Sequence, residues 1–144
     1  MTSITRSTQS RRAMLAAAVV AAASMAGCAS LSTKTPEQEV AELAQQRWDL
    51  LVNGDFDKAY QFTQPGYRAL ASVDDYKKRF GGAGRWKAAK VLGATCEADR
   101  CSVRIHLTTI NRVPGFTRSL PELSTHFDEV WLRDEGRWWY YQAS

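Results

Sequence analysis

The feature that most constrains the fold is a single change of hydrophobic period near residue 86. Before it, apolar side chains recur at helical spacing, as in Val40, Leu43, Ala44, Trp48 and Leu51. After it the period is two, and apolar residues alternate with polar ones in Val103, Arg104, Ile105, His106, Leu107 and Thr108. Helices followed by antiparallel strands are typical of an α+β fold, in which N-terminal helices pack on a mainly antiparallel sheet.

Capping and turn residues divide the helical half into three predicted helices. The first has Pro36 at its first helical position and Gln38 placed to close a capping box with Thr35. The predicted helices run from Thr35 to Asn53-Gly54, from Asp55 to Gln64-Pro65-Gly66, and from Ser72 to Gly81-Gly82.

Four strands are predicted, at 86–95, 101–110, 123–133 and 137–142, with an irregular connection between the second and the third. The last two form a hairpin whose register stays open. A three-residue loop at Asp134-Glu135-Gly136 pairs Arg133 with Arg137 and places Trp131 beside Trp139. A two-residue turn at Glu135-Gly136 pairs Trp131 with Tyr140 instead.

The N-terminus carries an export pattern. Residues 1–12 contain three arginines and no acid, and residues 13–26 contain no charge, but this run is shorter than the roughly 20 apolar residues of a membrane-spanning helix. Small residues then precede Cys28. Together they resemble the signal peptide and lipobox of a bacterial lipoprotein, with Met25 where leucine is usual. The resemblance implies a diacylglyceryl and palmitate anchor on Cys28.

This interpretation divides the chain into a signal peptide at 1–27, a tether at 28–35 and a domain at 36–144. Ser10 to Leu15 also resembles a twin-arginine signal, so Sec and Tat export both remain open. A signal peptide cleaved elsewhere and an uncleaved anchor are the alternatives. The predicted location is the cell envelope outside the cytoplasm. Ala29, rather than Asp, follows the cysteine; this resembles the outer-membrane sorting pattern of enteric bacteria and implies the periplasmic face of the outer membrane, with the inner membrane as the alternative.

The positive charge belongs to the signal rather than to the domain. Removing Arg6, Arg11 and Arg12 from the 19 basic residues leaves 16 against 15 acidic ones. A nearly neutral domain gives no reason to expect a nucleic-acid partner.

Cys96 and Cys101 flank a short polar segment between two predicted strands. Cysteines that face each other at the base of a hairpin lie near the ~5.5 Å Cα separation of a disulfide, and an exported protein meets an oxidising compartment. We therefore predict a Cys96–Cys101 disulfide, with two unlinked thiols as the alternative. A zinc site lacks ligands, since His106 and His126 are the two histidines of the chain.

Two segments carry a further resemblance. They are Arg47-Trp48 through Tyr60 in the opening helices and Glu129 through Trp139 in the closing hairpin. Both are similar to the nuclear transport factor 2-like superfamily, which includes ketosteroid isomerase and the polyketide-cyclase-like proteins. The resemblance implies a curved sheet wrapped around helices, forming a cone with a pocket at its wide end.

Aromatic side chains are the predicted lining of that pocket, although large aromatics are more often core residues than ligand contacts. The predicted lining residues are Trp48, Phe56, Tyr60, Tyr76, Trp131 and Tyr140. The expected occupant is a small apolar ligand, and no cofactor or metal is expected. An envelope protein is the other expected partner, and a homodimer through the sheet face is a further alternative.

Catalysis is the competing hypothesis. Ketosteroid isomerase uses a carboxylate base with an oxyanion hole made of tyrosine and protonated aspartate, but its motifs do not map cleanly onto this chain. The weak catalytic candidates are Asp128, His106, Tyr60 and Asp49. Two function classes follow: a non-catalytic envelope lipoprotein that binds a partner or ligand, and a small isomerase or cyclase-type enzyme.

Overall fold

The computed structural model describes residues 34–111 and 121–143. The predicted signal peptide, the lipidation site Cys28 and nearly all of the predicted connection at 112–121 lie outside the described residues. Among those residues, no helix is both long enough and apolar enough to cross a membrane.

The first helix, α1 (Pro36–Val52), begins with the predicted capping box. The Gln38 N–H donates to the Thr35 hydroxyl at 3.3 Å, and the Thr35 N–H donates to the Gln38 side chain at 3.1 Å. These bonds satisfy two backbone donors that a helix start otherwise leaves unpaired. The helix ends where Gly54 takes a φ of 80°, as the sequence indicates.

Three short helices follow: α2 (Phe56–Tyr60), α3 (Pro65–Leu70) and α4 (Val73–Lys78). A 3₁₀ turn at Ala83–Arg85 then leads into the sheet. Helix α4 has the predicted capping box between Ser72 and Asp75. Helix α3 was not predicted, because Gln64-Pro65-Gly66 is also typical of a helix end. Pro65 instead occupies the first turn of α3, where its missing N–H costs no hydrogen bond.

The four strands are β1 (Trp86–Glu97), β2 (Arg100–Thr109), β3 (Leu123–Asp134) and β4 (Arg137–Tyr140). They form one antiparallel sheet in chain order. The predicted strands match these bounds to within two residues at every end.

Both described hairpins turn over two residues. Cys96 lies directly opposite Cys101, with 4.0 Å between their Cα atoms and a disulfide between their side chains, as predicted. In the closing hairpin Trp131 pairs with Tyr140. The two-residue turn is therefore the correct alternative. Glu135 and Gly136 take φ values of 49° and 76°, the left-handed geometry of a type I′ turn.

A β-bulge between Val91 and Gly93 curls the sheet. The register slips there by one residue, so Val91 and Ala94 both face the helices although three positions separate them. Bulges bend a strand and increase its twist. The result is a half-barrel that wraps around α1.

The core lies between α1 and the concave face of the sheet. Residues on this face alternate along β2, as predicted, and the alternation continues in β3. The largest fully buried side chains are Trp131, Arg47, Tyr76, Leu51, Ile105, Val40, Val103, Thr63 and Cys101. One of these buried side chains belongs to an arginine, Arg47, whose charge needs a partner inside the core.

Candidate functional site

Glu129 is a carboxylate inside the concave face of the sheet. Strand alternation places it there, because Phe127 and Trp131 lie two residues to either side and also face inward. Its side chain is 4 % exposed. A carboxylate buried this far needs partners for both oxygens, since burying an unpaired charge is very costly.

Three N–H groups provide those partners. Trp131 Nε1 donates to Oε1 of Glu129 at 2.9 Å. Arg47 Nη1 and Trp48 Nε1 each donate to Oε2 at 3.0 Å. Both carboxylate oxygens are therefore engaged, one by an indole and one by an indole together with a guanidinium.

Arg47 reaches Glu129 from α1. It lies three residues after Ala44 and four before Leu51, so helical spacing places it on the buried face of the helix. Its Nη2 donates to the Tyr76 hydroxyl at 3.3 Å. Its Cζ lies 3.5 Å from the centroid of the Tyr140 ring, a cation–π contact. We call Arg47, Trp48, Tyr76, Glu129, Trp131 and Tyr140 together the Glu129 cluster.

Burial governs the electrostatics of the cluster. It raises the pKa of Glu129 above its ordinary value, and the Arg47 charge and the two indole N–H groups oppose that rise. Burial alone lowers the pKa of Arg47, but the charges of Glu129, Tyr76 and Tyr140 more than offset it, so this pKa is raised. Burial also raises the pKa values of Tyr76 and Tyr140, against the opposing effect of Arg47.

This geometry is typical of a structural ion pair rather than a catalytic base. A general base must come within hydrogen-bond reach of the proton that it removes. The oxygens of Glu129 already accept from Trp131, Arg47 and Trp48, and both tryptophans are at most 5 % exposed. The carboxylate is enclosed by the groups that satisfy it.

Two of the predicted catalytic candidates lie on the outer face of the sheet. Asp128 faces away from the core, and its Oδ1 accepts from Arg104 Nε at 2.8 Å with both side chains about half exposed. Asp128 therefore faces solvent opposite Arg104, which is the alternative to a catalytic position in the pocket. His106 is on the same face, directly opposite His126.

The other two candidates lie apart from these and from each other. The Tyr60 hydroxyl is inside the domain and donates to the Ala71 carbonyl at 2.6 Å, which ties α2 to the segment after α3. Asp49 is on the exposed side of α1 and accepts from Gln45 Nε2 at 2.8 Å. The fold does not bring the four candidates together.

The predicted pocket residues all belong to the core cluster of the domain or pack against it. Their rings contact one another: Tyr60 and Tyr76 lie 5.5 Å apart between ring centroids, and Trp131 and Tyr140 lie 6.1 Å apart. Trp48 also packs at 5.5 Å from Phe127. At these positions the concave face holds packed side chains.

Surface depressions lie elsewhere on the domain. One of about 310 Å³ lies between α3 and the end of the chain, beside Tyr67, Leu70 and Tyr141. Another of about 190 Å³ lies at the opposite end of the sheet, beside Trp86 and Ile110. Both are lined by polar and apolar groups together.

The pairing of Arg47 with Glu129 was not predicted from the sequence. Each of the two elements nevertheless shows a charged residue at a core position. Arg47 occupies an apolar position of the α1 pattern, and Glu129 occupies an inward position of β3 between Phe127 and Trp131. A basic residue on a helix core face and an acidic one on a sheet core face predict a buried ion pair.

Comparisons with known proteins bear on the fold. No protein-family model and no curated protein matches the sequence. Among solved structures, the chain is similar to a SEC-C motif containing protein from Rhodopseudomonas palustris, at 24 % identity and a TM-score of 0.51. The similarity covers 69 % of this chain and 73 % of that one. It supports the fold alone, an α+β arrangement of N-terminal helices packed on a curled antiparallel sheet.

Proposed function

We propose that this chain is a membrane-anchored lipoprotein of the bacterial cell envelope, and that its domain binds a partner without catalysis. One observation carries the non-catalytic part: the buried Glu129 carboxylate of the concave face accepts hydrogen bonds on both oxygens, from Arg47, Trp48 and Trp131. The order of arginines, apolar run, small residues and Cys28 supports the anchor.

Binding is proposed to use the surface of the domain rather than the inside of the cone. The six aromatics predicted to line a pocket are packed against one another, so an apolar ligand has to displace core side chains to reach them. Displacing packed side chains exposes apolar surface whose burial stabilises the domain, so it lowers the free energy of unfolding. A protein of the envelope is therefore the favoured partner, ahead of a small apolar ligand.

Lipid anchorage is tested with two cysteine variants. Cys28→Ala is expected to abolish palmitate incorporation and detergent-phase partitioning, because the acceptor sulfur is gone. Two acyl chains are needed for stable anchoring, since a single one binds membranes at only about 10⁴ M⁻¹. Cys96→Ala also removes one cysteine and is the matched control, expected to keep the label. Palmitate labelling of Cys28→Ala at the wild-type level contradicts the proposal.

Native mass spectrometry of the protein released from its own envelope tests the mode of binding. The expected result is a complex with an envelope protein and no retained small molecule. A stoichiometric small molecule on the domain, with no protein partner, overturns the proposal that the ligand is an envelope protein.

A small isomerase-type enzyme is the second candidate. The observation in its favour is a buried carboxylate, Glu129, whose pKa burial raises. The test is exchange of the α-proton of enolisable ketones for deuterium, followed by mass spectrometry. We expect no exchange above buffer. Exchange that disappears in Glu129→Gln, or in the outer-face variants Asp128→Asn and His106→Ala, while circular dichroism shows an intact fold, establishes an enzyme.

A further inference from the structure

The two histidines of the chain meet on the outer face of the sheet. His106 of β2 and His126 of β3 are direct cross-strand partners. Their ring centroids are 4.6 Å apart and their ring planes differ by 18°. This site lies on the opposite face of the sheet from the Glu129 cluster.

One ring nitrogen of the pair has no hydrogen-bond partner among residues 34–111 and 121–143. This atom, Nε2 of His106, is buried. A buried polar atom without a partner costs free energy and calls for a physical explanation. The His126 ring is stacked against the ring that carries this atom, and His126 is exposed.

We propose that His106 and His126 form a two-imidazole site for a divalent transition-metal ion. Two nitrogens bound to one Zn²⁺ at about 2.0–2.1 Å lie roughly 2.9–3.4 Å apart. Cross-strand partners have Cβ atoms about 4.5–5.5 Å apart, and the terminal torsion of histidine is broad, so turning the exposed His126 ring brings its nitrogen into range.

The donor set determines the class of ion. Neutral imidazole suits Zn²⁺, Ni²⁺ and Cu²⁺, and affinity rises toward Cu²⁺ in the first-row series. Asp128, two residues after His126 on the same face, is engaged by Arg104 at 2.8 Å, and Lys90 is the β1 partner of His106. Water therefore fills the remaining coordination positions, and Cu²⁺ is expected to bind more tightly than Zn²⁺.

The test is to titrate the full chain with CuCl₂ and, separately, with ZnCl₂ and to measure the heat of binding by isothermal titration calorimetry. The protein carries no histidine tag, and Cys28→Ser removes the thiol outside the Cys96–Cys101 pair. One ion per chain is expected. Losing a second-shell partner costs about 10–100-fold in metal affinity, so losing a ligand in His126→Ala is expected to cost at least about tenfold.

Lys90→Ala is the matched control, since it changes the neighbouring residue on the same face without removing an imidazole. It is expected not to weaken binding. Electron paramagnetic resonance of the Cu²⁺ complex is expected to show coupling to two imidazole nitrogens, and to one in His126→Ala. No binding to the parent chain, or equal affinity in His126→Ala with an unchanged circular dichroism spectrum, overturns the proposal.

Discussion

Arg47 and Glu129 form a buried ion pair that joins α1 to β3, with 3.0 Å between Nη1 and Oε2. Their side chains are 2 % and 4 % exposed. Two indole N–H groups and one tyrosine hydroxyl also hydrogen-bond to the pair. Nε of Arg47 is buried without a hydrogen-bond partner among the described residues. The pair fixes the position of α1 against the curled sheet. If either side chain moved out of the core, the other would remain as a buried, unpaired charge.

Removing one member of this pair is expected to destabilise the domain strongly. Glu129→Gln keeps the size of the side chain but leaves the guanidinium of Arg47 without a counter-charge. The expected loss in the free energy of unfolding is about 3–5 kcal/mol, measured by urea denaturation. If Glu129→Gln lowers the free energy of unfolding no more than a surface substitution does, the pair has no structural role.

The control is a double-mutant cycle with Arg47→Met. The double variant Arg47→Met/Glu129→Gln has no unpaired buried charge, so its loss is expected to be smaller than the sum of the two single losses. Additive losses show that the two side chains do not interact. Asp128→Asn provides a second comparison: its half-exposed pair with Arg104 is expected to contribute at most about 1 kcal/mol.

Asp75, which accepts from Lys78 and belongs to the capping box of α4, is expected to make stability depend on pH in the acid range. Hydrogen bonds from Lys78 and Ser72 lower the pKa of Asp75 from 3.8 to about 2. A carboxyl whose pKa is lower in the folded state stabilises the fold above the unfolded-state pKa. That contribution is expected to disappear as the pH falls from about 4 to about 2.

Asp75→Asn is therefore expected to flatten the pH dependence of the free energy of unfolding in this window. Asp74→Asn removes a carboxylate from the same helical turn without touching the capping box, and is expected to keep the wild-type slope. The measurement is chemical denaturation at a series of pH values. Equal slopes for Asp75→Asn and the wild type count against a role for the cap.

The Cys96–Cys101 disulfide closes a short loop, so its contribution is expected to be modest. Reduction is expected to lower the free energy of unfolding by about 2 kcal/mol on the chain-entropy estimate. The double variant Cys96→Ala/Cys101→Ala is expected to show no response to the reductant. Intact-mass analysis after alkylation without reduction checks the bond itself: two alkylated thiols at these positions contradict it.

Local signals predicted most of the elements in this fold. The capping boxes at Thr35 and Ser72 are set by side chains three residues apart, so they can be recognised without tertiary information. The strand bounds follow from alternation and turn residues. Helix α3 was missed because Pro65 and Gly66 are compatible both with a turn and with a first helical turn, and packing decides between them.

The candidate site was harder to predict, because it depends on which residues meet. Asp128 and His106 were candidates by residue type alone, and both lie on the outer face of the sheet. The pairing of Arg47 with Glu129 spans much of the chain and needs the register of α1 against β3. The disulfide was predictable because Cys96 and Cys101 are close in sequence and share one hairpin.

The register of the closing hairpin shows which physical terms decide such a choice. The two-residue turn places Asp134 opposite Arg137 and Trp131 opposite Tyr140. The three-residue loop instead places two arginines, 133 and 137, opposite each other. Opposite charges and aromatic pairs stabilise directly facing positions, and like charges destabilise them. Cross-strand pairing thus favours the register that the structure has.

The turn itself gives the last prediction. Gly136 has a φ of 76°, and a Cβ built on it meets nothing within 4 Å. Any cost of Gly136→Ala therefore comes from the left-handed backbone and not from a clash. That conformation costs an L-residue about 1–2 kcal/mol, which is the expected loss in the free energy of unfolding.

Gly66→Ala is the matched control, because a Cβ at Gly66 also has open space around it but the backbone there has no positive φ. There the substitution lies in α3, and is expected to stabilise by about 0.5–1 kcal/mol. Equal effects of the two substitutions in thermal and urea denaturation contradict the type I′ assignment.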